Sequence, residues 1–510
     1  MVAPNNLTEH FLSVPLDHAA PWKNDSLRMR YLMDVTHLSP GGPLVVYTGN
    51  EGDIEGFAAA CGFLWIIAER FGGAVIFLEE RYYGKSLPVA RPVAATTTAT
   101  ATGSSAGTGT LPPFAFLSSV QVVADYAFAL GRLRVELNST RVLAVGGSYG
   151  GMLAAWLRKQ HPDLVDAALA SSAPVLGYAS TLVEQQRDGG FWSVTERGYS
   201  CRDSLGAAFR ALWAASPADW DSLSADFGLC SQSRVRNVAG LETLIGFLQQ
   251  QLSALAFGNY PYPVGSMPAN PTSYACAAIP PANFTSDSGF DEGGMPAASG
   301  WLPLRDALAW HYQKKGECLE LESSFAAYSP GFLPGAWTFQ RCTDLIMAFS
   351  VASDSRMFLP CSEGFRPNCA ADGQTALRTF CQETFGVSVP DAAALQTFWG
   401  SDWSALGGGS RIVFSNGDLD PWRYGGVLDD VSGGSDGPVT IHIASAAHHL
   451  DLRGPTTDDP PAVVAAREQE AAILGRWLGL ADGRAGGAPS RGAGRGAPWR
   501  SEGGWSPPRR

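Results

Sequence analysis

A strand that turns directly into a helix, with glycines packed about one serine at the junction, can belong to few folds. The stretch RVLAVGGSYGGMLAAWLRKQHP, residues 141 to 162, is such a junction. Arg141 to Val145 reads as a strand and Met152 to Gln160 as a helix. Gly146, Gly147, Gly150 and Gly151 stand around Ser148. A turn this tight has no room for side chains at its edges, which is why glycines are needed there. It lifts the Ser148 hydroxyl clear of the strand. It also aims the Tyr149 N–H, at the helix start, at the place where a tetrahedral oxyanion would form.

Gly146-Gly147-Ser148-Tyr149-Gly150 fits G-x-S-x-G, the nucleophile elbow of α/β hydrolases, and the surrounding pattern agrees. Pro43 to Thr48, Ala74 to Leu78, Val142 to Val145 and Leu164 to Ser171 read as short buried strands, with a helical run at Gly56 to Arg70. Strands alternating with helices imply a parallel sheet covered on both faces. From about Tyr178 the alternation stops, and residues 180–335 read as helices and loops. It resumes at Arg411 to Phe414 and Val439 to Ile443, and ends in a helix from Pro461 to Leu478. The expected fold is an α/β-hydrolase core with an inserted helical cap. Residues 1–179 and 336–480 form the two parts of the core, 180–335 the cap, and 481–510 a disordered tail. Pro92 to Leu111, rich in Ala, Thr, Ser and Gly, reads as an expanded surface loop.

A serine hydroxyl needs a base. In this fold the chain order is Ser, then an acid after a late strand, then His after the last strand. The stretch SNGDLDPW, after Arg411 to Phe414, offers Asp418 and Asp420. The stretch ASAAHHLDLR, after Val439 to Ile443, offers His448 and His449. The other six of the eight histidines are excluded by position: His10, His18 and His37 precede the elbow, His161 ends its helix, His311 lies in the insertion and His442 inside a strand.

The formal net charge of −12 argues against a nucleic-acid or anionic-membrane surface. No apolar run approaches the roughly 20 residues that a membrane span needs. The nine cysteines contain no Cys-x-x-Cys pair, so neither a metal site nor a cofactor is expected. Disulfides are favoured over buried thiols. Sequons at Asn6, Asn24, Asn138 and Asn283 agree with a secretory route. The N-terminal stretch MVAPNNLTEHF has no signal-peptide pattern. The expectation is therefore a lysosomal, vacuolar or secreted protein whose leader is absent from the chain.

Five motifs in order carry a more specific likeness: YTGNEGDI (47–54), ERYYGKSLP (80–88), GGSYGGMLAAW (146–156), SNGDLDPW (415–422) and AHHLDLR (447–453). Together they resemble the proline-specific serine exopeptidase family of lysosomal Pro-X carboxypeptidase and dipeptidyl peptidase II, over about Phe11 to Leu478. The resemblance implies Ser148 as nucleophile, Asp420 as acid and His448 as base, with Asp418 a bystander. It implies His449 and Arg453 as a hydrogen-bonded group beside the base, and Met152, Met347 and Trp422 as walls of a proline pocket. An oxyanion hole would be formed by Tyr149 N–H and an N–H near Gly49 and Asn50. The family's Glu-His-Arg-Tyr-Tyr-Gly is departed from, since Glu79 and Glu80 precede Arg81-Tyr82-Tyr83-Gly84. One disulfide of the carboxypeptidase branch lacks both partners. The remaining matches imply Cys201–Cys276, Cys230–Cys318 and Cys342–Cys381, with Cys361 and Cys369 left to pair locally and Cys61 free.

The implied substrates are peptides cleaved after proline, two residues from an N-terminus or one from a C-terminus; a homodimer is left open. Glu320 matches an acid that meets the substrate amine in the dipeptidyl peptidase branch, and the run Pro268 to Pro271 also resembles that branch, whereas Met347 resembles the carboxypeptidase branch. The alternatives are an esterase or lipase with the same triad, or a catalytically silent binding protein. Family-like activity at acidic pH would require His448 to stay neutral, with Arg453 acting through His449 as the candidate cause.

Overall fold

The computed structural model describes residues 6–23, 25–88, 114–177, 190–279, 300–312, 317–321, 335–345, 351, 355–359, 373–404, 407–429, 431 and 434–480. Eight strands form one sheet: β1 (Thr8–Pro15), β2 (Ser26–Asp34), β3 (Leu44–Thr48), β4 (Ala74–Leu78), β5 (Val142–Gly147), β6 (Ala167–Ser171), β7 (Ile412–Gly417) and β8 (Val439–Ile443). Their order across the sheet is β1-β2-β4-β3-β5-β6-β7-β8. The β1–β2 and β2–β4 pairs are antiparallel and the other pairs parallel. Parallel strands carry helices on both faces. Accordingly every residue of β3, β4, β5, β6 and β7 is buried, and these strands were readable as short buried runs. After β3 the chain crosses to β4 on one side and returns to β5 on the other. That reversal opens a crevice at the carboxyl ends of the strands, where ligands bind in open α/β sheets.

In chain order the helices are α1 (Ile54–Ala60), α2 (Phe63–Phe71), α3 (Ser119–Glu136), α4 (Tyr149–Gln160), α5 (Gly190–Arg197), α6 (Arg202–Trp213), α7 (Trp220–Asp226), α8 (Val238–Phe257), α9 (Pro271–Ala277), α10 (Leu302–Tyr312), α11 (Ala336–Thr343), α12 (Gly373–Phe385), α13 (Ala392–Trp399) and α14 (Pro461–Trp477). Helices α3 and α4 close one face of the sheet, with Val122, Tyr126, Leu153 and Trp156 in its core. Helices α2 and α14 close the other through Leu64, Ile67, Ile473 and Leu474. A third apolar cluster lies in the segment after β6, among its helices and the loops between them, built from residues such as Leu205, Phe209, Leu248, Leu252, Leu304 and Phe358.

Three disulfides join Cys201 to Cys276, Cys230 to Cys318 and Cys342 to Cys381, the pairs implied by the resemblance. They close segments of 75, 88 and 39 residues. In the chain-entropy picture each restricts the unfolded state by roughly 4 kcal/mol. Cys61 is free and buried, and burial pushes its thiol up to about 12. The expected Cys361–Cys369 pair, the 92–111 expansion and the 481–510 tail lie outside the described residues.

One reading needed correction. The run from Gly56 to Arg70 is two helices, broken at Cys61-Gly62, where a Cβ on Gly62 would stand 2.6 Å from Gly454 Cα. The hairpin of β1 and β2 and the helix α3 were not anticipated. β1 mixes exposed and buried residues as an edge strand does, and β2 carries an arginine inside: Arg30 is fully buried, bonded to Glu79 and Asp53. Among the described residues no helix is long and apolar enough to cross a membrane.

Candidate active site

Ser148 lies between β5 and α4 with φ 59° and ψ −129°, a left-handed conformation that side chains rarely adopt. Such strain costs about 1–3 kcal/mol and persists only when its surroundings hold it. Here Ser148 N–H donates to Ser171 O at 2.9 Å, and Ser148 O accepts from Met152 N–H at 3.1 Å. The glycines answer a different need. A Cβ on Gly146 would stand 2.1 Å from Gly150 O, and one on Gly150 would stand 2.6 Å from Thr48 O. The strain is therefore at the serine, and the glycines permit the close approach of backbone around it.

The loop after β7 ends at Asp420, whose Oδ1 accepts from Trp422 N–H at 3.0 Å. The same oxygen lies 2.8 Å from His448 Nδ1, with both side chains fully buried. A carboxylate only accepts, so Nδ1 carries the proton and Nε2 the lone pair. His448 Nε2 is buried with no hydrogen-bond partner among the described residues. The loop is clamped from above: His448 N–H donates to Phe257 O at 3.3 Å, and the Tyr260 hydroxyl donates to His448 O at 3.1 Å. The Phe257 ring lies 4.1 Å from that of His448. Of the two acids and two histidines, the structure pairs Asp420 with His448. Asp418 instead donates its N–H to Ile443 O.

His449, at φ 37°, sets its ring against Gly147, so the histidine loop abuts the elbow. Burial first, then the charges of His448 and Arg453, hold its pKa well below the ordinary histidine value. Arg453 lies over the rings of Tyr260 and Tyr262, at 4.7 and 5.9 Å. It acts on His449 through charge, and among the described contacts no hydrogen bond joins the two side chains.

Gly49 is ruled out as an oxyanion donor, because its N–H is already given to Leu78 O at 3.0 Å. The Asn50 N–H has no acceptor among the described residues. Tyr149 opens α4, where an N–H has no acceptor within the helix.

Above Ser148 is a cavity of about 580 Å³ that Glu51, Phe191, Phe257, Trp337, Arg341 and Trp422 also line. Trp422 meets Phe191 edge-on at 5.1 Å, and the Trp337 ring is 6.0 Å from that of Tyr149. Burial raises the Glu51 carboxyl above its usual range, with the Asn50 amide donating to it at 2.8 Å. Trp422, which the resemblance makes a pocket wall, is among the residues lining this cavity. Met152 lies fully buried in the core against α4's neighbours and is not among the lining residues. Glu320 is exposed, accepting from Gln232 Nε2 at 2.5 Å, and the structure does not bring it to the cavity. Met347 lies outside the described residues. Phe191, Phe257, Trp337 and Arg341 were missed; the richness in tryptophan was the only signal for them. Glu80, at the position where the family pattern departs, is buried with its pKa raised well above the usual range by burial. It accepts from Gln340 Nε2 at 2.7 Å and Tyr149 Oη at 3.3 Å, and so ties α11 to α4.

A family model described as serine carboxypeptidase S28 matches residues 14–470. The chain belongs to this family. Human lysosomal Pro-X carboxypeptidase is 30% identical over 489 residues, covering 93% of this chain and 88% of the human protein. Prolyl carboxy peptidase like protein 5 of Caenorhabditis elegans is 29% identical over 497 residues, covering 92% and 90%. Human thymus-specific serine protease is 26% identical over 480 residues, covering 89% and 84%. As a member of the serine carboxypeptidase S28 family the chain is a serine-type peptidase, and the sheet order and elbow give it the α/β-hydrolase fold.

Proposed function

We propose that Ser148, His448 and Asp420 are the nucleophile, base and acid of an exopeptidase that cleaves peptides after proline. The observation that carries this is the buried Asp420–His448 pair, its Nε2 without a partner among the described residues, beside an aromatic cavity that Ser148 lines. Ser148 Oγ adds to the carbonyl carbon of the proline residue while its proton passes to His448 Nε2. Asp420 holds the imidazole in the tautomer that can accept it. The N–H groups of Tyr149 and Asn50 stabilise the oxyanion. Collapse breaks the C–N bond, and His448 returns the proton to the leaving nitrogen. Water, deprotonated by the same base, then hydrolyses the ester left on Ser148.

The faces of Phe191, Trp337 and Trp422 suit a rigid apolar pyrrolidine ring. Helix α8 roofs the cavity through Gly246, Gln249, Ser253 and Phe257, which supports entry of chain ends rather than chain middles. We divide the chain into a hydrolase core, 1–179 and 336–480, and a helical cap between. Three disulfides, exposed sequon asparagines at Asn6 and Asn138, and the lysosomal relative support a secretory or lysosomal location.

The test is a substrate panel on wild type and Ser148→Ala: peptides with proline near either end, the same peptides with alanine for proline, and a simple ester. Turnover confined to the proline peptides and abolished in the variant is expected. Preferred ester turnover would give the site to an esterase, and failure to react with a fluorophosphonate would remove catalysis altogether.

A further inference from the structure

Arg341 carries a charge that no group among the described residues answers. It stands on α11 between Gln340 and Cys342, half-buried, and lines the cavity with Ser148. Among the described residues no acid pairs with it and no group accepts a hydrogen bond from it. Burial alone works against its charge. A guanidinium does not give up its proton, and a cation in a mostly apolar enclosure is costly to leave unpaired.

The acids around it are occupied elsewhere. Asp344, at the end of the same helix, accepts from Ser119 N–H at 2.5 Å and Ser119 Oγ at 3.2 Å. Glu80 takes the Gln340 amide and the Tyr149 hydroxyl. Glu51 shares the cavity, but it is held by Asn50 and burial favours its neutral form.

The helix bearing Arg341 is fixed on both sides of it. Gln340 bonds to Glu80 and Tyr149, and Cys342 is joined to Cys381. Trp337, four positions earlier, packs at 6.0 Å against Tyr149, the residue after the nucleophile. Helix positions four apart lie about 5–6 Å from each other on one face. Arg341 therefore stands one helical turn from a ring that packs on Tyr149, in the lining of the cavity that Ser148 also lines. One extended residue spans about 3.3–3.6 Å. A carboxylate one residue beyond the bond under attack at Ser148 would stand only that much further along the cavity that Arg341 also lines.

We infer that Arg341 binds the free C-terminal carboxylate of the residue being released, and so makes this chain remove one residue from a C-terminus. The inference rests on the proposed reading of the cavity as a post-proline exopeptidase site. A planar guanidinium meets a carboxylate with two parallel hydrogen bonds. An α-carboxyl, with an ordinary pKa of about 3.3–3.7, keeps its charge in mildly acidic solution. For Glu51, the acid that could meet an amine, burial works against the charge.

The experiment compares kcat/KM for four substrates: an N-blocked Ala-Pro-Phe with a free C-terminus, its C-terminal amide, N-blocked Ala-Pro-Glu amide, and unblocked Ala-Pro anilide. Wild type is expected to prefer the free acid to its amide on the order of 10- to 100-fold, the range of a charge-assisted hydrogen bond. That ratio is expected to fall to near one in Arg341→Ala and to survive in part in Arg341→Lys. The wild-type comparison needs no variant to fold. A wild-type ratio near one, or a ratio unchanged in Arg341→Ala while total activity drops, overturns the inference. So does equal turnover of the Glu amide, or preference for the unblocked anilide, although both leave the post-proline reading standing. If wild type turns over none of the four, the reading of the site fails, and the inference with it.

Discussion

Asp420→Asn is nearly isosteric and tests how the base is held. Asp420 Oδ1 receives two donors, His448 Nδ1 at 2.8 Å and Trp422 N–H at 3.0 Å. An asparagine can turn either its oxygen or its NH₂ toward them. With NH₂ in that place His448 would need to accept at Nδ1 and would carry its proton at Nε2, the wrong tautomer for a base. Such a reversal costs about 10⁴ in kcat in a comparable triad. Here the Trp422 N–H also points at the same position and would face the NH₂ head-on, so the amide oxygen is held toward His448. What remains lost is the negative charge that steadies the imidazolium. A buried pair at this separation, with an effective dielectric near 20, accounts for about 2–4 kcal/mol of that once the retained neutral hydrogen bond is allowed for. At 1.36 kcal/mol per decade kcat/KM should fall about 30- to 1,000-fold. The assay is kcat/KM on a blocked proline peptide, with Asp418→Asn as comparator, expected within about twofold of wild type because Asp418 does not touch His448. A loss under about threefold in Asp420→Asn would remove Asp420 as the acid. A loss of 10⁴ or more would show that Trp422 does not pin the amide.

Ser148→Ala should abolish the acyl-enzyme burst and lower kcat by about 10⁶, leaving residual turnover of roughly 10³–10⁴ over water; a surviving burst would place the nucleophile elsewhere. Gly146→Ala puts a Cβ 2.1 Å from Gly150 O and 2.5 Å from Thr48 Oγ1, both in packed surroundings. It should destabilise by about 1–3 kcal/mol or more, and an unchanged melting midpoint would contradict the close approach. Burial raises Asp344 from 3.8 to about 6, against the pull of the Ser119 N–H and hydroxyl. Its proton is therefore held more tightly in the folded chain, so its stabilisation is complete below pH 3.8 and lost as pH rises through 6. Asp344→Asn, which has no proton to lose, should gain in melting midpoint over wild type between these limits and hold a constant difference above them; a difference that does not vary with pH would refute the assignment.

The elbow was legible because its chemistry is local. Side chains on Gly146, Gly150 or Gly151 would collide with the elbow's own backbone or with the ends of the neighbouring strands, and that need is written in a few adjacent letters. The buried strands were legible for a similar reason: a parallel strand covered on both faces must be apolar throughout. The hairpin β1–β2 was not, because an edge strand tolerates mixed residues and Arg30 is stabilised inside by acids, Asp53 and Glu79, that stand far from it in sequence. Two acids and two histidines stayed open in the residues alone, since Asp418 and Asp420, like His448 and His449, differ by a turn of backbone whose direction depends on what packs around it. Tertiary structure also withdrew Gly49 by giving its N–H to Leu78, and left Glu320 on the surface. The cavity is the furthest from legible: Phe191, Phe257, Trp337, Arg341 and Trp422 come from three helices and the turn after Asp420, spread over nearly half the chain. Sequence alone determined where a nucleophile would be raised, because sterics between neighbouring residues decide a turn. Which substrate it would face was left to the tertiary structure, because a pocket is made of side chains whose only relation is that the fold brings them together.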